Sequence, residues 1–163
     1  MEKDITGREP VSFLKLALAL ANDYDSIYVI DPDDDSYVEY STSGSKEDLS
    51  VRSSGSDFFE ELRYNCREQV YPEDQEEFLR VFKKQTVLDS LKDGKSFSVN
   101  YRLVINGEPK YYYLKAIRGS DKSIVIGVQN VDVQRRRELA VLEQSRTYSE
   151  IAQSLASLFE VRL

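Results

Sequence analysis

The chain has 163 residues, 40% of them apolar, which suits one ordinary domain with some extra helix. With 29 acidic against 22 basic residues the net charge is -7, which disfavours a general attraction to phosphate backbones, so no nucleic-acid partner is expected. The absence of histidine removes Ser-His-Asp and Cys-His nucleophiles, His-ligated haem and the usual zinc sites, and a lone cysteine cannot form an internal disulfide, which suits a reducing cytoplasm.

Pro10 can occupy the first turn of a helix, and Phe13, Leu16, Leu20 and Tyr24 recur at three- and four-residue steps, predicting an amphipathic helix over residues 10–23. Its apolar run, FLKLALALA, contains Lys15 and falls well short of the ~20 residues that span a bilayer, so neither a membrane segment nor a signal peptide is expected. SIYVID and SYVEYS are β-prone runs around DPDDD and predict a hairpin. The Ser- and Gly-rich stretch SGSKEDLSVRSSGS is expected to be a loop.

DFFEELRYNCREQV returns to helical spacing through Phe58, Phe59, Leu62 and Cys66, with Cys66 on the apolar face. A second helix is expected to start at Pro72, where Glu73 and Asp74 complement its dipole, and to run through Phe78, Phe82, Val87 and Leu91 to Gly94. Three strands are predicted at 96–106, 109–118 and 123–132, the first alternating Phe97, Val99, Tyr101, Leu103 and Ile105 with polar residues and closing on an Asn-Gly turn. From Gln134 the chain reads as helix, with one stripe through Leu142, Ser145, Tyr148, Ala152, Leu155 and Phe159. Residues 16–28 and 151–163 align without gaps, which predicts that the C-terminal segment begins a second copy of the domain and that the chain is a piece of a tandem array.

Two strands, a helical middle, three strands and a C-terminal helix form the element order of a PAS domain. VYPED at 70–74 is similar to that family's V-H-P-E-D, with Tyr71 where histidine is common, and VIGVQNVD at 125–132 resembles its last strand and terminal D-I-T signature. LALANDYDSIYVIDPDDDSYVEYS resembles the first helix and hairpin of PAS domains in bacterial GGDEF-containing signalling proteins. The resemblance implies an α+β PAS fold: a five-stranded antiparallel sheet in order 2-1-5-4-3, helices on one face, and flanking helices at both ends. It divides the chain into an N-terminal segment and helix (1–24), a PAS core (25–133), and an exit helix with the start of a truncated repeat (134–163). It further implies a small-molecule cavity, whose candidate lining is Phe59, Leu62, Cys66, Phe78, Phe82, Val99, Tyr101 and Val128, and a relay at Asn130, Val131 and Asp132.

Other chemistries fit less of the pattern. Asn65-Cys66-Arg67 and Gln129 resemble the cysteine and glutamine of LOV flavin photosensors, an alternative function for the chain, but Glu68 replaces an aromatic residue and Tyr113 stands where the second flavin-binding asparagine is expected beside Asn100; these departures weigh against flavin. Asp31, Asp33 and Asp35 have EF-hand spacing, yet Ser36 and Thr42 occupy the glycine and glutamate positions, so a solvated turn and no metal are expected. Tyr111–Tyr113 reads as strand surface and core, and QRRRE at 134–138 as a solvated face. With no catalytic motif in the chain, any enzyme activity belongs to a downstream domain. The expected function is a cytoplasmic sensory and dimerisation module passing ligand or partner state through its exit helix to an output domain that turns over a cyclic dinucleotide. Homodimers are expected through the flanking helices, with Leu142, Tyr148, Ala152, Leu155 and Phe159 in the contact. A ligand-free pairing scaffold is the remaining alternative.

Overall fold

The computed structural model describes residues 24–41, 50–119 and 121–162; the predicted helix over 10–23, with Phe13, Leu16 and Leu20, lies outside them. The described chain runs β1 (Ser26–Ile30), β2 (Tyr37–Ser41), β3 (Ser50–Gly55), α1 (Phe58–Gln69), α2 (Pro72–Val81), α3 (Lys84–Ser90), a 3-10 turn (Lys92–Gly94), β4 (Phe97–Ile105), β5 (Glu108–Arg118), β6 (Ile124–Asn130) and α4 (Asp132–Arg162). The strands make one antiparallel sheet in the order β3-β2-β1-β6-β5-β4. This is the order the PAS resemblance implies, extended by an edge strand, so the expected five strands are six. The added strand, β3, comes from the segment expected to be a loop. Its serines carry no apolar periodicity, and its ladder to β2 and a serine hydroxyl, rather than core packing, hold it in the sheet.

Local chemistry explains the turns. The aspartates between β1 and β2 hold their own backbone: Asp31 Oδ1 accepts the Asp33 N–H at 2.9 Å and Asp34 Oδ1 accepts the Ser36 N–H at 2.9 Å. Lys84 Nζ lies 2.6 Å from Asp35 Oδ1 and ties this turn to α3. Asn106 and Gly107 both take left-handed backbone, φ 51° and 79°, the requirement of a tight hairpin joining β4 to β5.

Asp57 caps α1 by accepting the Glu60 N–H, and Pro72 opens α2. Asp74, in the first turn of α2, accepts from the Arg102 backbone N–H at 2.9 Å and from its Nε and Nη2 at 2.8 and 2.7 Å. The Arg102 guanidinium also stands 4.4 Å from the centroid of the Tyr71 ring.

The single helix expected from Pro72 to Gly94 is broken at Phe82 and Lys83. Phe78 and Phe82 are four apart, as are Val87 and Leu91, but Phe82 and Val87 are five apart; in one straight helix the second pair would face away from the first. The break, with Phe82 at φ -92° and ψ 75°, returns both pairs to the core. α1–α3 pack on one face of the sheet, against Ile30, Leu114, Ala116, Ile124 and Ile126. The last strand ends at Asn130 and the following helix starts at Asp132, not at Gln134. α4 is a unit separate from the sheet and α1–α3. It continues through Arg162, so the C-terminal segment of the predicted repeat is helical here, while most of its partner segment lies outside the described residues. Among the described residues no helix is long and apolar enough to cross a membrane.

Candidate functional site

β1 and β2 alternate, and their register sets Tyr28 against Glu39, Ser26 against Ser41 and Ile30 against Tyr37. Every second side chain of a strand shares a face, so this hairpin delivers a carboxylate, hydroxyls and two aromatic rings to the side that carries α1. There they bound a cavity of about 480 Å³, which continues along Phe58, Leu62, Cys66 and Phe78 and over Tyr101, Leu114 and Val128. A space of that size suits a small organic molecule.

Glu39 is the centre of the polar wall and keeps only 9% of its surface exposed. Ser26 Oγ and Tyr28 OH donate to its Oε1 at 3.1 and 3.2 Å, and Ser53 Oγ donates to Oε2 at 2.6 Å. Ser53 reaches it because β3 carries a bulge: Glu39 pairs with Ser53 and Tyr40 with Val51, leaving Arg52 as an extra residue. The Arg52 guanidinium, 65% exposed, lies 3.9 Å from Glu39 Oε1. A second carboxylate, Glu61 of α1, accepts the Tyr37 hydroxyl. The Tyr37 ring lies so close to Gly55, its partner on β3, that a Cβ there would collide with it.

The acidity of these groups follows their surroundings. Burial first, and then the charge and hydrogen bond of Glu39, push the Tyr28 hydroxyl well above the ordinary tyrosine range. Burial and then the Glu61 hydrogen bond push Tyr37 up to about 12. Burial raises Tyr101 as well. It also raises the Cys66 thiol, which favours the protonated form over the reactive thiolate.

Of the predicted lining residues, Leu62, Cys66, Phe78, Tyr101 and Val128 meet at the cavity. Phe59, Phe82 and Val99 belong to the packed core beside it, where Phe82 stacks on Phe78 at 5.5 Å and lies 6.1 Å from Phe59. The polar wall of Ser26, Tyr28, Glu39, Ser53 and Glu61 escaped the sequence reading. The LOV-like residues are divided by the sheet. Asn100 pairs with Tyr113 and Tyr113 with Gln129, while Val99 pairs with Leu114 and Leu114 with Val128 on the cavity side. By strand alternation Asn100, Tyr113 and Gln129 occupy the opposite face from Cys66. Tyr112 alone of the three consecutive tyrosines lines the cavity.

At the proposed relay, the Asn130 backbone N–H donates to Asp25 Oδ2 at 2.6 Å, and its side-chain amide lies 3.4 Å from the Tyr112 hydroxyl. The Val131 carbonyl accepts the Arg135 N–H, and Asp132 Oδ2 accepts from Arg136 Nε at 2.9 Å within the first turn of α4. Along α4, Leu142, Tyr148, Leu155 and Phe159 are all more than half exposed, as is Val141. Ala152 is exposed on the same helix. Among the described residues no group of three metal-ligating side chains occurs.

No family model matches the chain. No curated protein matches it either. A solved structure described as "Structure of an RNA-binding Light-Oxygen-Voltage Receptor" is similar at 13% identity and a TM-score of 0.39, over 78% of this chain and 33% of that one. The chain thus spans 33% of that receptor's length, and what the receptor binds is a property of the receptor.

Proposed function

We propose that this chain is a sensory PAS module that takes a small molecule into the cavity between its sheet and α1, pairs with a second copy through α4, and passes the bound state to an output domain. The cavity carries the reading: about 480 Å³ with a buried carboxylate on one wall and apolar side chains on the other is more than a pairing scaffold requires. For pairing, Ser145, Tyr148, Ala152, Leu155 and Phe159 of the expected stripe recur at alternating three- and four-residue steps, the seam of a two-stranded coiled coil, and Val141 rather than the expected Leu142 continues that seam. Exposed apolar residues in such a row favour a partner of the same kind.

The sequence resemblance to PAS domains of GGDEF proteins makes cyclic-dinucleotide turnover, in the cytoplasm and in a further domain, the output we infer. The chain itself is read as non-catalytic. A flavin sensor is disfavoured because Asn100 and Gln129 lie on the face of the sheet away from Cys66.

Native mass spectrometry of the purified chain tests the proposal. Two chains carrying a small molecule are expected, and Leu155→Asp should give single chains that still carry it. A monomer without ligand under all conditions removes both parts of the reading.

A further inference from the structure

Resting on the sensory reading, we infer that the cavity selects an organic cation: a small molecule with an ammonium or guanidinium head and a short apolar body. The direction of the hydrogen bonds is the first reason. An ionised carboxylate only accepts, so the hydroxyls of Ser26, Tyr28 and Ser53 must all give their protons to Glu39, and that of Tyr37 gives its proton to Glu61. What these hydroxyls turn toward any further partner is lone pairs. Around Glu39 and Glu61 the wall therefore offers acceptors, complementary to a group rich in N–H donors, while Arg52, Asn65 and Gln69 supply donors elsewhere in the lining.

Charge points the same way. Three carboxylates, Asp25, Glu39 and Glu61, line the cavity with one guanidinium, Arg52. Arg52 is mostly in water and 3.9 Å from Glu39, so the buried carboxylate has a weak counter-charge. A carboxylate taken out of water is stabilised by a close cation, and a ligand can supply one.

The aromatic rings are the third observation. Tyr28, Tyr37 and Phe58 all line the cavity, with centroids 6.1, 5.4 and 5.3 Å apart and planes inclined by 55°, 57° and 74°. Inclined rings around a polar centre are the arrangement by which proteins hold organic ammonium groups through cation–π attraction. Leu114, Ile126 and Val128 give the rest of the molecule an apolar floor.

The test uses the 163-residue chain and three probes with one aromatic skeleton: phenethylammonium, 2-phenylethanol and 3-phenylpropionate, titrated against backbone amide NMR signals. The ammonium should bind with shifts centred on β1, β2 and α1, about tenfold more tightly than the alcohol, as expected for a charge-assisted hydrogen bond. The propionate should bind weakest. Glu39→Gln should erase the preference for the ammonium, and Arg52→Gln, at an exposed position that leaves the fold alone, should strengthen it. Equal or tighter binding of the propionate, or an Arg52→Gln variant that binds the ammonium less well, overturns the cation preference and leaves the sensory reading standing. Binding of none of the three overturns both.

Discussion

The same face of one sheet buries its side chains in two ways. Around β4, Phe82 stacks on Phe78 and meets the edge of Phe97 at 5.6 Å, with Val87 and Leu91 filling in from α3 and the turn after it; no carboxylate is buried among them. Around β1, β2 and β3 a carboxylate is buried instead: Glu39, with three hydroxyls on it, stands beside a cavity that the rings of Tyr28, Tyr37 and Phe58 border rather than fill. Close packing stabilises through many small contacts and tolerates no empty space, whereas a satisfied polar wall tolerates a space and stabilises less. One end of the sheet thus sustains the fold, and the other is free to carry a site.

Three substitutions break or sharpen that contrast. The largest effect is expected at Phe82, where truncation to Ala removes the ring shared by Phe59, Phe78 and Phe97 and should destabilise the chain by about 3–5 kcal/mol in urea unfolding. A loss no greater than that of a cavity-wall variant would show that the two ends are alike.

Asp74→Asn is expected to come next, at about 2 kcal/mol, because it weakens charge-assisted hydrogen bonds that fasten α2 to β4. This contribution has a pH signature. The Arg102 hydrogen bond holds the Asp74 carboxyl below its ordinary value, so the stabilisation is complete above the unfolded-state value of about 4 and is lost as pH falls through the folded one. Unfolding midpoints measured down the acid limb should fall less steeply in the variant than in the parent chain, and equal slopes would exclude Asp74 as the acid-sensitive fastening.

The smallest effect is expected at the cavity. Tyr28→Phe deletes one of three hydroxyls on Glu39 and keeps the ring, so the loss should be about 1 kcal/mol. A cost matching Phe82→Ala would make the polar wall a structural centre in its own right.

The two ends also differed in how far the sequence disclosed them. β4 and β5 show through the alternation from Phe97 to Ile105 and the Asn106–Gly107 turn, because period and turn chemistry are local. The helix break at Phe82 was equally local, in the five-residue step to Val87, but helical propensity on both sides concealed it. At the other end, Ser26, Glu39 and Ser53 are distant in sequence and come together only through the register of the hairpin and the bulge in β3. Half of that was legible: alternation alone places Tyr28 on one face of β1 and Tyr37 and Glu39 on one face of β2. Ser53 was not, since a serine-rich strand resembles a loop when its partner is unknown. Cys66 could be placed on the apolar face of its helix, whereas the separation of Asn100 and Gln129 from it depends on which face each strand turns to the helices.

The bulge at Arg52 has a counterpart across the sheet. Open sheet margins invite the strands of other molecules, and both margins here are obstructed. On β3 the extra residue interrupts the regular ladder. Beside β4, the chain leaving α1 bridges Val70 to Leu103, and the Tyr71 N–H donates to the Arg102 carbonyl at 2.8 Å, occupying part of that rim. Strand-by-strand growth into fibres is thereby discouraged at both ends of the sheet.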